Sequence, residues 1–209
     1  MKRRALTIAV FFVLCHVCAG AVRSWPLQAR IDALAAAGGG TLVLTAGVYR
    51  TGALFFKPGV NLHLEKGAKI VGVDESEGYP VCETRIEGET CQYYPALVNA
   101  DGCDGFRISG EGVIDGHGAS TWAAFWKGRA AARKRGKEFR NKDLMRPRVL
   151  YVSRSKNVDV SGVTFKNSKF WTTHFYDCED VVVHDCAIVA DILKDSSGKI
   201  GRASCRERV

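Results

Sequence analysis

The sequence has no Asn-Gly pair, one of the strongest short signals for a tight β-hairpin. That absence speaks against a sandwich of antiparallel strands, which needs such turns between most of its neighbours. Beyond residue 21 it also has no Cys-x-x-Cys and no Cys/His cluster at metal-ligand spacing, so no metal or other cofactor is expected. Nor does a linker or a second composition divide the chain. Its 209 residues, 46% hydrophobic, are enough for one domain with a sizeable core.

The one long uncharged stretch stands at the start. Lys2, Arg3 and Arg4 precede an apolar run from Ala5 to Val17, and Ala19-Gly20-Ala21 fits a small-x-small cleavage pattern. Residues 1–21 therefore read as a secretory signal, with a membrane anchor as the competing reading. His16 and the small-residue end favour cleavage. The mature protein is expected to be secreted or periplasmic, without stable membrane association.

The net charge of +8 is unevenly spread. Between Lys127 and Arg148 ten Lys and Arg stand against Glu138 and Asp143. Two readings stay open: attraction of an acidic polymer, or a solvated helical insertion, since Ala130-Ala131-Ala132 and the flanking cations are good helix formers. Nucleic acid is not an expected partner, because export and the lack of an aromatic stacking pattern both oppose it. Of eight cysteines, Cys15 and Cys18 fall in the signal and Cys205 in the tail. Cys82 and Cys91 flank a short polar loop and have the placing to pair in an oxidising compartment. Cys178 and Cys186 occupy positions expected inside the fold, as buried thiols.

What the chain does have is a repeat. Asn157-Val158-Asp159-Val160 with Gly162-Val163-Thr164-Phe165 is echoed by Asp180-Val181-Val182-Val183 with Cys186-Ala187-Ile188-Val189, an offset of 180 − 157 = 23 residues. Similar strand, turn, strand units start near Asn61 and Gly105, and placing Leu62 against Arg107 gives an offset of 45, read as two coils. Short β-branched strands at an interval in the low twenties predict a β-solenoid, in which each coil buries its apolar row against the next. The fold expected is an all-β, right-handed, single-stranded parallel β-helix. Leu27, Ile31 and Leu34 have helical spacing ahead of Gly38-Gly39-Gly40, predicting a short helix that shields the first coil from edge pairing. Residues 72–94 are polar and broken by Gly78 and Pro80, and read as a loop leaving the stack.

These residues carry a family resemblance. Gly38-Gly39-Gly40-Thr41-Leu42-Val43-Leu44, Val60-Asn61-Leu62-His63-Leu64, Gly110-Glu111-Gly112-Val113-Ile114-Asp115-Gly116-His117-Gly118 and Asn167-Ser168-Lys169-Phe170-Trp171-Thr172-Thr173-His174 together resemble the polygalacturonase group, glycoside hydrolase family 28, over residues 27–190. The resemblance implies a pectin-degrading hydrolase that inverts α-1,4-galacturonosidic linkages with paired carboxylates. It implies an acidic polysaccharide of the pectin or polygalacturonate type as partner, and a monomer.

In that family the catalytic aspartates lie in an Asn-x-Asp-Gly-x-Asp segment and a following Asp-Asp pair, with Gly-His-Gly and Arg-x-Lys beyond. The stretch where the first is due, Asp191-Ile192-Leu193-Lys194-Asp195-Ser196-Ser197-Gly198-Lys199, has no such arrangement. No catalytic residue is assigned. Gly116-His117-Gly118 spells the histidine motif in the wrong coil, and Asp115 beside it is expected to bind backbone amides of its turn. Trp171 and His174 are the candidate substrate-binding residues, because the strand after Asn167-Ser168 borders the groove in relatives and such rings suit sugar faces and hydroxyls. Strict alternation puts the two on opposite faces, so that at most one enters the groove unless a bulge intervenes. The competing reading has Trp171 packed under a loop and His174 in a structural role.

Residues 200–209 (Ile-Gly-Arg-Ala-Ser-Cys-Arg-Glu-Arg-Val) break the strand pattern and resemble the translation of a sequencing adapter. The expectation is a fragment: residues 22–199 as the N-terminal part of a β-helix, poorly soluble and inactive on polygalacturonate. Two other classes remain open, a non-catalytic polysaccharide-binding or structural β-helix and a calcium-dependent pectate lyase.

Overall fold

Strands of the repeat pair in parallel with their counterparts one coil on. A computed structural model of the chain describes residues 26–190, so the signal at 1–21 and the tail at 200–209 lie outside the described residues. Three sheets run along one axis. The first holds β1 (Gly40–Leu44), β4 (Val60–Leu64), β9 (Arg107–Gly110), β12 (Lys156–Ser161) and β15 (Glu179–His184), in that order. The second runs β2 (Gly47–Thr51), β5 (Ala68–Gly72), β10 (Val113–Asp115), β13 (Thr164–Lys166), β16 (Ala187–Val189). The third runs β3 (Leu54–Phe56), β8 (Val98–Asp101), β11 (Leu150–Ser153), β14 (Thr173–Tyr176). This is the β-helix expected from the repeat.

Register explains the core. Leu42, Leu62, Ile108, Val160 and Val183 stack one above another in the first sheet. Leu54, Val98 and Leu150 do so in the third. All but Val183 are fully buried; in the last described coil the row opens to solvent, Val183 at 45% and Ile188 at 53% exposed. A coil alone cannot hide its inner face, so burial comes from stacking rather than from any one strand.

At the other end sits α1 (Pro26–Ala36), whose Leu27 and Ile31 plug the first coil. Its polar face handles the sheet edges. The Gln28 amide donates to the Phe55 carbonyl at 3.0 Å and accepts the Phe55 N–H at 2.8 Å, in effect a side-chain strand on β3. Arg30 donates to the Val43 carbonyl on β1 at 2.9 Å. Edge groups that would invite another strand are thereby filled.

Two details of the repeat differ from the sequence reading. Leu62 pairs with Ile108, not Arg107, and the two are neighbours in the sheet, so the interval there is a single coil rather than two. The coil is lengthened by an excursion. Coils leave the stack at one corner, between the second and third sheets: residues 73–97, 116–149 and 167–172 all depart there, where the first coil needs only residues 52–53. The first excursion is not a plain loop. After the short α2 (Glu75–Gly78), β6 (Cys82–Ile86) and β7 (Glu89–Tyr93) form an antiparallel hairpin joined by Glu87 and Gly88, at φ 51° and 83°. A two-residue turn with both residues at positive φ matches strand twist without an Asn-Gly pair.

Candidate functional site

Three excursions leaving one corner have to pack on one another, and they do so around aromatic rings and two arginines. The second carries α3 (Ala119–Lys134), whose Trp122 and Phe125 face inward. Arg146, fully buried, lies with its guanidinium carbon 4.0 Å from the Phe125 ring and 4.6 Å from those of Trp122 and Phe170. Tyr93 of the hairpin accepts the Arg146 backbone N–H at 3.1 Å and donates to the Leu144 carbonyl. Trp122 Nε1 donates to the Ser168 carbonyl at 2.7 Å, tying α3 to the third excursion. Burial pushes the Arg146 guanidinium down to about 10, still charged at neutral pH. A cleft of about 380 Å³ lies beside this pile, lined by Asp74, Tyr94, Ser120, Thr121, Ala124, Leu144 and Met145.

The charge-dense stretch is thus of two kinds. Six cations from Lys127 to Lys137 are exposed on and after α3, while Arg146 and Arg148 are as buried as the core. The solvated-insertion reading holds for the first group and fails for the last two, because Pro147 and the strand beyond it carry them back into the fold.

Arg148 occupies the outer face of the third sheet. It donates to the Arg85 carbonyl at 2.9 Å, to Thr84 Oγ1 at 2.7 Å and to His174 Nδ1 at 2.6 Å, and lies 4.0 Å from the Tyr151 ring. Guanidinium only donates, so Nδ1 of His174 must accept and its proton resides on Nε2. Burial first, then the charges of Arg148 and Arg85, push the imidazole down to about 4. His174 is therefore neutral near pH 7.

Trp171 and His174 were expected on opposite faces. Instead their rings meet edge-on, centroids 5.0 Å apart at 88°. The alternation rule fails because Trp171 precedes β14 and lies in the loop that turns into it. Phe170 stacks on Trp171 at 4.8 Å, and Tyr151, next to His174 in the ladder, stands 5.0 Å from the imidazole. Both candidates are half-buried. Sequence reasoning missed Arg85, Arg148, Tyr151 and Tyr176, which the fold gathers around them.

The other residues singled out earlier have structural tasks. Asp115, 4% exposed, accepts the His117 backbone N–H at 2.9 Å, as expected of a turn aspartate, and also binds Asn167 Nδ2 at 3.2 Å and Lys69 Nζ at 3.0 Å. It fastens three coils together. Asp115→Ala is expected to lower stability by about 2–3 kcal/mol in denaturant titrations, since it strands buried donors. His117 is exposed and lies away from the corner cluster's hydrogen bonds. Cys91 carries a free thiol, so no bridge to Cys82 forms; the two stand diagonally across the hairpin, opposite Thr84 and Tyr93. Cys178 and Cys186 are half-buried against the core, their thiols near the Val152 and Val160 carbonyls. Among the described residues no group of three or more His, Cys, Asp or Glu is placed to hold a metal ion.

The sequence profile of glycosyl hydrolases family 28 matches residues 81–197, more than half of the chain. The chain belongs to this family. It is 22% identical over 174 residues to a protein of Vitis vinifera named a probable polygalacturonase, covering 80% of this chain and 33% of that one. It is 34% identical over 107 residues to the exo-poly-alpha-D-galacturonosidase of Dickeya chrysanthemi, covering 47% of this chain and 16% of the relative. The solved exopolygalacturonase of Thermotoga maritima superposes with a TM-score of 0.63 at 28% identity, over 78% of this chain and 42% of that one. The family 28 chain thus shares its right-handed parallel β-helix with the solved members, and spans about a third of the grape relative's length.

Proposed function

We propose that the whole protein is a polygalacturonase-type hydrolase that cleaves α-1,4-galacturonosidic bonds of pectin, and that the described coils form the part of its groove that grips the acidic chain. Family membership supports the reaction class. The observation that carries the reading onto this chain is the half-buried Trp171–His174 pair on the outer face of the third sheet, an apolar ring wall beside a fixed N–H donor, which suits a pyranose face and its hydroxyls.

Inverting hydrolysis needs an acid to protonate the leaving oxygen and a carboxylate far enough off to admit water. The acidic residue on this face, Asp101, is tied to Ser153 at 2.8 Å and to Arg154, and is not assigned either role. Binding rather than bond cleavage is the task of these coils. Export through residues 1–21 fits an extracellular polymer and is part of the proposal.

The test is incubation of the intact gene product with polygalacturonate, following reducing ends and the anomer first released. Inversion of an α-linkage gives the β-anomer. An unsaturated product that depends on calcium would replace the hydrolase by a lyase, and binding without any new ends would leave a non-catalytic β-helix. Trp171→Ala is expected to weaken oligogalacturonate binding about tenfold, roughly 1.4 kcal/mol, with the fold intact; calorimetry of the variant measures it, and unaltered affinity would remove Trp171 from the groove.

A further inference from the structure

On the outer face of the third sheet Asp101 is taken up by Ser153 and Arg154, which leaves Arg85 and Arg148 without a carboxylate among the described ion pairs. Arg85, on the hairpin, hangs half-buried over the Tyr176 ring with its guanidinium carbon 5.0 Å from the centroid. Its one described side-chain hydrogen bond is a long one, to Thr90 Oγ1 at 3.4 Å, and none of the described ion pairs includes it. The hairpin carboxylate Glu89 is held by Lys142 at 2.5 Å. Arg148 brings a second guanidinium to the same face, with carbonyl, hydroxyl and imidazole partners but no carboxylate. Two guanidinium charges close enough to repel the proton of one imidazole are costly unless an anion joins them. The walls are rings: Trp171, Tyr151 and Tyr176.

From this arrangement we infer that Arg85 and His174 form a subsite for the carboxylate of a uronic acid unit, with Arg148 as the positioning residue behind them. Arg85 supplies the charge, in a planar fork that fits a carboxylate. His174 supplies direction: Arg148 occupies Nδ1, so Nε2–H is the donor left for ligand. Arg148 also accounts for the hairpin's place, because it bonds the Arg85 carbonyl and Thr84 and so sets where the Arg85 side chain starts. The ring walls select a cyclic ligand over a free small anion. The inference rests on the pectin reading above and adds to it which residues read the acid and that they lie on β14 and the hairpin.

Trigalacturonate and its methyl ester are the two probes, the same sugar with and without charge, titrated into the full chain by calorimetry. The wild type is expected to prefer the acid at least tenfold. Arg85→Gln should bring that preference to within twofold while leaving ester binding unchanged, and Arg85→Lys should recover part of it. The Arg85 side chain reaches other elements only through the Tyr176 ring and a long bond to Thr90, so these variants are expected to fold, and the melting curve verifies it. His174→Phe should weaken both ligands, with His174→Gln, which keeps an N–H donor, recovering part of the loss. Retention of the acid preference in Arg85→Gln overturns the subsite. Equal binding of acid and ester by the wild type overturns it while the pectin reading stands; binding of neither overturns both.

Discussion

Gly110→Ala is expected to abolish cooperative melting of the coil stack, while Gly105→Ala in the same coil costs about 1–2 kcal/mol. Both glycines have positive φ, 106° and 72°, so both variants bear backbone strain. They differ in what lies over them. A Cβ at Gly105 meets nothing within 4 Å, whereas one at Gly110 falls 2.0 Å from the Leu64 carbonyl oxygen of the adjacent coil. That oxygen is not free to retreat. It accepts the N–H groups of Glu111 at 2.9 Å and Gly112 at 3.2 Å, so moving it breaks the bonds that close the turn. The same stacking recurs one coil on, where a Cβ at Gly162 would sit 2.4 Å from the Gly110 carbonyl oxygen. Relief therefore requires coils to separate along the axis, and the core rows depend on their contact. A loss above about 4 kcal/mol follows, a large share of the ~5–15 kcal/mol that holds a domain together. Circular dichroism melts of the two variants settle the matter: a Gly110→Ala loss no larger than that of Gly105→Ala would show that the turns do not stack under load.

How much of this was legible in the residues depends on what each feature is made of. The solenoid was readable because apolar alternation is a local property: Val158 and Val160 announce an inward face wherever they occur. The interval was readable only where coils are bare, between Asn157 and Asp180. Around Leu62 and Ile108 an excursion inflates one coil to about the length of two, and spacing alone cannot tell an inserted hairpin from an extra turn. That hairpin was hidden by its use of Glu87 at a left-handed position that Asn usually takes. Trp171 and His174 were found by resemblance, but their contact was not, because alternation holds inside a strand and Trp171 lies outside one. Arg148 was lost in a charge count. A run of cations looks uniform in sequence, and only the apolar Val149-Leu150 directly after Arg146-Pro147-Arg148 signals that this end of the run goes back into the core.

Arg148→Met is the other large effect, and it has two parts. Stability at neutral pH should fall by about 2–4 kcal/mol. The substitution keeps most of the apolar stem but leaves the Arg85 carbonyl and Thr84 Oγ1 without their donor, each worth about 1–3 kcal/mol when buried. Removing a desolvated charge offsets part of that. The second part concerns His174, whose imidazole titrates at about 4 in the folded protein against an ordinary 6.5. Because the folded value is the lower one, the unfolded chain takes up the proton first as pH falls. Stability that is fully present above pH 6.5 is lost progressively down to pH 4 and then stays level. Burial is the larger cause and survives the substitution; the Arg148 charge and its bond to Nδ1 do not, while Arg85 remains. His174 should then titrate above 4, still below its ordinary value, and the acid limb of stability should become shallower. Proton NMR of the imidazole ring and urea titrations at several pH values report the two parts separately. An imidazole that still titrates near 4 in Arg148→Met would mean that burial and Arg85 together keep His174 neutral, and that its Nε2–H does not depend on the arginine behind it.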